Sequence, residues 1–201
     1  MSGQSNQRHI AKAEVRTRIL TKRRQMSRPE RQMADQARTR RLLNGLPPGL
    51  TIAAYWSNNH EPDTTILLRQ LHVAGYPLLL PQLTRSRSEP SWTWWDGQDL
   101  QRSPVGLASP VGPTVDPSVL ERVDLMIMPG LAATPQGDRL GRGGGWYDRC
   151  LASLASKPQR WLLLNHDEVL DVLPTDPWDQ GVDAIITDQA WINVNRVGQA
   201  A

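Results

Sequence analysis

Residues 10–45 space their apolar side chains three and four positions apart, as on one face of a helix. Residues 10–25 follow this spacing and predict a first helix. Ser27 is followed three residues later by Glu30, which is the sequence pattern of a helix capping box. A second helix is therefore expected from there to Asn44-Gly45, where the glycine ends it.

From residue 51 onward, short apolar runs bounded by turn residues alternate with helical segments. Predicted strands are Thr51–Ser57, Pro77–Pro81, Asp124–Met128, Trp161–Leu164 and Ala184–Thr187, with helices over residues 63–74 and 146–154. Alternating strands and helices predict parallel βαβ units. We expect a single-domain α/β protein over residues 1–201: three α/β/α layers, a mostly parallel open sheet and two preceding helices, with residues 1–7 and 196–201 as frayed ends.

Residues 82–122 are rich in Pro, Gly, Ser and Thr, which predicts an irregular arm. Its one strand-like part carries Trp92, Trp94 and Trp95. Clustered tryptophans could stack on an aromatic ligand, but they more commonly cover a sheet face or fill a gap. Packing is the favoured interpretation.

The composition excludes several classes of protein. A hydrophobic fraction of 39% and a charged fraction of 21% are typical of globular chains rather than disordered or fibrous ones. Cys150 is the single cysteine, so an internal disulfide framework and a cysteine-based zinc cluster are excluded, and a buried thiol is expected. Apolar runs stay far below the roughly 18 residues of a membrane-spanning helix, and the polar start Met1–His9 lacks a signal-peptide core. A cytoplasmic protein without a membrane partner is expected.

The charge is unevenly distributed along the chain. Residues 1–41 contain 12 Lys and Arg against 3 Asp and Glu, whereas the rest contains 11 against 17. A basic segment can bind nucleic acid or another polyphosphate, but on helices with interspersed acids it is more often a solvated face. Nucleic acid is therefore the less favoured partner.

A glycine-rich segment between a predicted strand and a predicted helix carries the most specific chemistry. Residues 128–149 read MPGLAATPQGDRLGRGGGWYDR, with four glycines between positions 141 and 145. Such glycines allow positive φ angles, so successive N–H groups can turn toward one anion. Arg139 and Arg142 flank the glycines and supply permanently charged, planar donors. The segment predicts a phosphate site.

Asp148 brings a carboxylate to the same segment. A carboxylate beside a phosphate is repelled unless a cation bridges them, and Mg²⁺ commonly uses one or two carboxylates plus substrate phosphates. A Mg²⁺–nucleotide complex is therefore the predicted ligand. The segment is neither a Walker loop nor a dinucleotide fingerprint, so a flexible turn with a helix-capping or salt-bridged aspartate remains open at this point.

Several motifs together resemble the 5-formyltetrahydrofolate cyclo-ligase family, also called 5,10-methenyltetrahydrofolate synthetases. The motifs that match in order are Pro129-Gly130, Arg139-Leu140-Gly141 and Gly143–Asp148. Supporting matches are Lys12 and Arg16 near the start, Ser57 and Glu61 after the first strand, and Pro174, Asp179 and Asp183 before Thr187. The likeness covers most of the chain.

The resemblance implies roles for particular residues. The implied ATP-binding residues are Lys12, Arg16, Arg139, Leu140, Gly141, Arg142, Gly143, Gly144, Gly145, Trp146 and Tyr147. The implied folate-binding residues are Trp56, Glu61, Arg142 and Trp146, with Arg142 also as the catalytic residue; Asp148 and Asp179 are the implied magnesium ligands. The spacing of Lys12 and Arg16 independently places both cations on one helical face, although a solvated basic helix would show the same spacing. Likewise, Glu61 could be a plain loop carboxylate and Asp179 a turn residue.

The chain departs from the family pattern at a few positions. Thr134 stands where an acid is frequent, Trp146 where tyrosine is frequent, and Val169 where glutamine is common. Ala108 and Ser109 precede Pro110 where an acid is usual. These changes concern the substrate side more than the phosphate side.

The activity that the resemblance implies is the ATP- and Mg²⁺-dependent cyclisation of 5-formyltetrahydrofolate to 5,10-methenyltetrahydrofolate, through phosphorylation of the formyl oxygen and release of ADP and phosphate. The expected partners are these small molecules, and a monomer is expected. One alternative is a nucleotide- or RNA-binding module without turnover. Another is a small-molecule kinase that uses the same phosphate loop.

Overall fold

A seven-stranded, mostly parallel sheet forms the centre of the protein. The computed structural model describes residues 2–58, 60–82, 91–98, 100–103 and 108–194. Its α-helices are α1 (Ser2–Gln25), α2 (Arg28–Gly45), α3 (Thr65–Val73) and α4 (Trp146–Ala152). Its strands are β1 (Ile52–Ala53), β2 (Leu78–Gln82), β3 (Ser91–Trp94), β4 (Gln101–Arg102), β5 (Ala108–Ser109), β6 (Leu125–Pro129), β7 (Ala132–Ala133), β8 (Arg139–Leu140), β9 (Gln159–Leu163), β10 (Ala184–Ile186) and β11 (Trp191–Asn193). Short 3₁₀ helices cover Pro117–Arg122 and His166–Glu168.

The strand order of the sheet is β11-β10-β9-β6-β1-β2-β3. The five inner strands pair in parallel, and the edge strands β3 and β11 pair antiparallel. From β1 the chain moves to one side through β2, and it then returns through β6, β9 and β10 on the other side. The order therefore reverses between β1 and β6, and a crevice at the carboxyl ends of such a pair is the usual ligand site of open α/β sheets.

Alternate residues of the parallel strands face two separate cores. Ile52, Leu78 and Leu125 lie in the core that α2 and α3 cover. Leu79 and Met126 lie in the core that α4 and the 3₁₀ helix at Pro117–Arg122 cover, and the buried Cys150 lies there too. Because both faces of the sheet are covered, the predicted three-layer α/β/α arrangement is confirmed.

Helix α1 extends beyond its predicted bounds. The capping box of α2 is confirmed, since Glu30 N donates to Ser27 Oγ and Ser27 N donates to the Glu30 carboxylate. By contrast, α1 begins at Ser2, so residues 2–7, expected to be frayed, are helical. Residues 2–7 have no large apolar side chains, so they show no apolar spacing from which a helix could be predicted. Residues 196–201 lie outside the described part of the chain.

The irregular arm after β2 contains β3 at its tryptophans, as predicted. Trp92 is fully buried and Trp95 is 6% exposed, which confirms packing as their use, whereas Trp94 is 43% exposed. The strand predicted at residues 51–57 is shorter, because only Ile52 and Ala53 pair with both neighbours. Strands β4, β5, β7, β8 and β11 were not predicted, since each has only two or three residues.

Over the described ranges, no helix combines the length and the apolar character that crossing a membrane requires.

Candidate functional site

A cavity of about 890 Å³ opens where the strand order reverses. Tyr55 and Trp56, which follow β1, and Pro129 and Gly130, at the end of β6, lie in its wall. The fold therefore places the cavity where open α/β sheets usually bind ligands. Every residue that the sequence predicted for the site lines it: Lys12, Arg16, Trp56, Glu61, Arg139, Leu140, Gly141, Arg142, Gly143, Gly144, Gly145, Trp146, Tyr147, Asp148 and Asp179.

The glycine loop, residues 141–145, links β8 to α4. Gly143 and Gly145 adopt φ angles of 102° and 62°, which residues with a side chain rarely adopt. The positive φ angles predicted for the loop are therefore confirmed at these two positions. Gly145 is the N-cap of α4, a helix of only seven residues. The loop thus exposes its backbone to the cavity without a bulky side chain in between.

Three guanidinium groups surround the glycine loop. A methyl group at Gly141 would lie 3.2 Å from Arg139 Nη1, and one at Gly143 would lie 3.4 Å from the guanidinium carbon of Arg16. Arg16 Nε also donates to the Gly141 carbonyl at 3.0 Å. Arg149, which the sequence analysis did not single out, donates to the Gly144 carbonyl at 3.0 Å. The loop therefore combines free backbone with concentrated positive charge, which suits an anion.

Lys12 enters the cavity from α1 and is held by two carboxylates. Its Nζ donates to Asp179 Oδ2 at 2.5 Å and to Asp176 Oδ2 at 2.7 Å, and its side chain is only 8% exposed. The Lys12 hydrogen bond holds the pKa of Asp176 below its usual value. Arg8, one turn earlier on α1, lies 3.3 Å from the other oxygen of Asp176. The predicted basic face of α1 thus points into the cavity rather than into solvent.

Asp148 and Asp179, the predicted metal ligands, both line the cavity. The turn that contains Asp179 brings it to the same side as Asp148. Asp148 Oδ1 accepts from Arg139 Nη2 at 2.6 Å and from the backbone N–H of Gln180 at 3.0 Å. Asp179 Oδ2 accepts from Lys12 and from the backbone N–H of Asp176. Among the described residues, the other oxygen of each carboxylate accepts no hydrogen bond. In the described part of the chain, no group of three or more Asp, Glu, His or Cys side chains is placed to hold a metal ion by itself. Two carboxylates completed by phosphate oxygens are nevertheless a ligand set that fits Mg²⁺.

The aromatic wall of the cavity consists of Trp56, Glu61, Trp146 and Tyr147. Trp56 packs edge-to-face on Trp95 at 5.8 Å, and Trp146 packs on Tyr147 at 4.6 Å, both measured between ring centroids. Glu61 Oε1 accepts from Arg142 Nε at 3.0 Å, and Glu61 Oε2 accepts from the backbone N–H of Asn58. The contact between Glu61 and Arg142 joins this aromatic wall to the glycine loop.

Two tyrosines near this wall remain neutral at physiological pH. Burial, followed by the charge of Glu61, raises the pKa of Tyr147. The same two causes raise the pKa of Tyr55, whose hydroxyl donates to the Pro62 carbonyl at 2.9 Å. Neither phenol is therefore prepared to act as a base.

The departures from the family pattern have different structural consequences. Ala108 lines the cavity, so the missing acid bears on the site, whereas Ser109 is buried in β5. Thr134 closes the turn between β7 and β8 by accepting from Asp138 N and donating to its carboxylate. Val169 pairs with Ala133 in an isolated bridge and packs in the core. Thr134 and Val169 therefore have structural roles and do not line the cavity.

Sequence reasoning missed a buried ion pair at the end of β6. Arg23 Nε and Nη2 donate to the two carboxylate oxygens of Glu168 at 2.6 and 2.7 Å, and Nη2 also donates to the Gly130 carbonyl at 2.8 Å. Both side chains are 2% exposed. Although burial by itself lowers the pKa of Arg23, the hydrogen bond and charge of Glu168 outweigh it and raise that pKa. No local pattern could have found a partner 145 residues away.

Comparison with known proteins agrees with this geometry. The 5-formyltetrahydrofolate cyclo-ligase family profile matches residues 8–188. A 5-formyltetrahydrofolate cyclo-ligase of Mycolicibacterium smegmatis is 30% identical over 187 residues, which cover 90% of this chain and 96% of the relative. One of Escherichia coli is 30% identical over 177 residues, which cover 84% of this chain and 96% of that protein.

Solved structures show the same fold. The 5,10-methenyltetrahydrofolate synthetase of Aquifex aeolicus superposes with a TM-score of 0.77 at 29% identity, over 94% of this chain and 95% of the other. That of Mycoplasma pneumoniae superposes with a TM-score of 0.70 at 24% identity, over 88% and 98%. With a family match over nearly its full length, the chain belongs to the 5-formyltetrahydrofolate cyclo-ligase family of enzymes.

Proposed function

We propose that this protein catalyses the ATP- and Mg²⁺-dependent conversion of 5-formyltetrahydrofolate to 5,10-methenyltetrahydrofolate, with release of ADP and phosphate. One observation carries the proposal: a cation-lined glycine loop and an aromatic, acidic wall share one cavity and meet through the Arg142–Glu61 contact of 3.0 Å. A nucleotide on the loop would thus lie beside a folate on the wall. The relatives named for this reaction support it.

The phosphates of ATP would bind at the glycine loop. Arg16, Arg139 and Lys12 bring permanent positive charge to it, and the loop backbone can approach phosphate oxygens closely. Leu140, Trp146 and Tyr147 would complete the nucleotide site. This arrangement supports a polyphosphate better than a neutral ligand, because several positive charges face one cavity.

Asp148 and Asp179 would hold Mg²⁺ together with phosphate oxygens. When bound, the ion would neutralise negative charge on the phosphoryl group during transfer. Lys12 now occupies one oxygen of Asp179, and Arg139 occupies one oxygen of Asp148. Both cations would exchange a carboxylate for a phosphate as the nucleotide enters.

The folate would bind against the aromatic wall. Trp56 and Trp146 offer ring faces for its fused ring system, and Glu61 offers a carboxylate to its N–H groups. Arg142 would lie between the two substrates, since its Nε contacts Glu61 and its backbone belongs to the glycine loop. We therefore assign to Arg142 the stabilisation of charge that develops on the transferred phosphoryl group.

The proposed reaction places few demands on protein nucleophiles. The formyl oxygen attacks the γ-phosphorus and ADP leaves. N10 of the folate then attacks the activated carbon and loses its proton to solvent, and the C–O bond breaks to release phosphate. Positioning two substrates and neutralising charge would supply most of the rate. A cavity rich in cations, whose lining within the described part of the chain includes no serine or cysteine, is consistent with that chemistry.

A spectrophotometric assay tests the proposal. Protein, ATP, Mg²⁺ and 5-formyltetrahydrofolate should produce the absorbance of the methenyl product, and ATP hydrolysis should depend strictly on the folate. Binding of ATP without turnover would favour a binding module, and ATP hydrolysis that does not depend on the folate would contradict the proposed reaction. A phosphorylated acceptor without methenyl product would instead favour a kinase. The predicted cytoplasmic location and monomeric state remain predictions.

A further inference from the structure

Trp178 is an unusually exposed tryptophan in the wall of the cavity. Its exposure is 63%, although tryptophan side chains are on average highly buried. It lies in a turn whose backbone is fixed at both ends: Asp179 N donates to the Asp176 carbonyl at 3.0 Å, and Asp176 N donates to Asp179 Oδ2 at 2.8 Å. A fixed turn therefore holds a large apolar ring at the cavity, in contact with solvent.

The same turn connects the two charged anchor points of the proposed nucleotide site. Asp176 and Asp179, which precede and follow Trp178 along the chain, both bind Lys12. One residue further on, the backbone N–H of Gln180 donates to Asp148, while its side-chain amide donates to the Trp178 carbonyl. The turn that carries the indole therefore contacts Lys12 and Asp148, whereas Trp56 and Glu61 lie on the segment after β1.

We propose that Trp178 is the platform on which the base of the bound nucleoside triphosphate stacks. This assignment rests on the proposed function and extends it to a residue outside the family motifs quoted above. A triphosphate on the glycine loop projects its base away from the loop, and Trp178 offers an aromatic face beside the cations that hold the phosphates. Stacking on an aromatic side chain contributes to binding with little dependence on the identity of the base.

Calorimetric titration of the full chain with two probes tests this assignment. Both probes, ATP and inorganic tripolyphosphate, are used with Mg²⁺, and the second lacks a base. Trp178→Ala should weaken ATP binding about tenfold and leave tripolyphosphate binding unchanged, because only ATP loses a stacking partner. Trp178→Phe should retain most of the ATP affinity, since it keeps an aromatic face. Trp94→Ala removes another exposed tryptophan outside the cavity and should bind ATP like the wild type.

The outcomes separate this assignment from the activity. If the wild type binds ATP and Trp178→Ala binds it equally well, the platform is wrong and the proposed function stands. Equal losses for ATP and tripolyphosphate would also overturn the platform, because they would show a disturbed phosphate site. A wild type that binds neither probe would overturn the proposed function, and the platform with it.

Discussion

Two ion pairs beside the cavity use the same chemical groups in different surroundings. Arg23 and Glu168 lie at the end of β6, and each side chain is 2% exposed. Arg142 and Glu61 lie at the cavity, with side chains that are 46% and 10% exposed. The first pair also fixes the Gly130 carbonyl and so ties α1 to the end of β6. The second joins the loop to the aromatic wall.

The difference in burial separates a structural pair from one that can exchange partners. A buried guanidinium and carboxylate cannot recover water if one partner is lost, so the pair is held permanently. A half-exposed arginine gives up a carboxylate at little cost, because water replaces it. We therefore expect Arg23 to govern stability and Arg142 to govern binding and turnover.

The largest expected effect follows from removing Arg23. Arg23→Met should lower the free energy of unfolding by about 3–5 kcal/mol, because it leaves the Glu168 carboxylate buried without its partner. Urea unfolding followed by circular dichroism measures it. Lys22→Met is the matched control, since the adjacent lysine pairs with Asp167 in an exposed contact and should cost less than about 1 kcal/mol. Equal losses for the two variants would contradict a structural role for the buried pair.

A second test concerns the proposed metal ligand. Asp148→Asn should lower kcat/KM about 100-fold, or about 2.7 kcal/mol, because the amide still accepts from Gln180 N but carries no charge for Mg²⁺. The fold should persist, as unfolding curves can show. Rates measured over a range of Mg²⁺ concentrations separate weak metal binding from slow chemistry. Undiminished activity at every concentration would remove Asp148 from the metal site, and Asp167→Asn serves as the control.

A smaller effect is expected at the exchangeable pair. Arg142→Ala should lower turnover and ATP affinity together, each by about tenfold, or about 1.4 kcal/mol. Its free energy of unfolding should change little, because Arg142 is 46% exposed. Steady-state kinetics and unfolding of the same preparation supply both values. Unchanged kinetics would make Arg142 a bystander, and a large loss of stability would erase its contrast with Arg23.

The smallest expected effect is a pH dependence of the Lys12–Asp176 contact. Lys12 holds the pKa of Asp176 below its usual value, so the contact stabilises the fold fully above about pH 4, the ordinary range of an aspartate. That stability should be lost as the pH falls through the lowered pKa. The difference in unfolding free energy between the wild type and Asp176→Asn should therefore be constant from pH 8 to 5 and shrink at lower pH. A difference that shrank as the pH rose from 5 to 8 would have the wrong sign.

Much of the fold could be predicted because its signals are local. The capping box of α2 depends on two residues three positions apart, and both of its hydrogen bonds form. The positive φ angles at Gly143 and Gly145 follow from glycine itself. The parallel pairing of β1 and β2 follows from a strand, a helix and a strand in sequence. Such features need only neighbouring residues, and the sequence contains those in full.

The composition of the cavity wall could be predicted only in part. The predicted residues all line one cavity, but their assigned roles remain predictions. No pattern in the chain indicated that Asp176 would share Lys12 with Asp179, or that Arg149 would reach the loop, because ordinary charged residues carry no motif. Sequence reasoning also missed β4, β5, β7, β8 and β11, whose pairing partners rather than their length make them strands.

The sequence by itself determined where α2 begins, which glycines can turn and which cations share a face of α1. Only the tertiary structure decided the partners: Arg23 with Glu168, Lys12 with Asp176, and Arg142 with Glu61, which are 145, 164 and 81 residues apart. The physical reason is that a short-range pattern fixes local backbone geometry, whereas an ion pair depends on which segments the sheet crossovers bring together. Here the reversal of strand order between β1 and β6 made that choice.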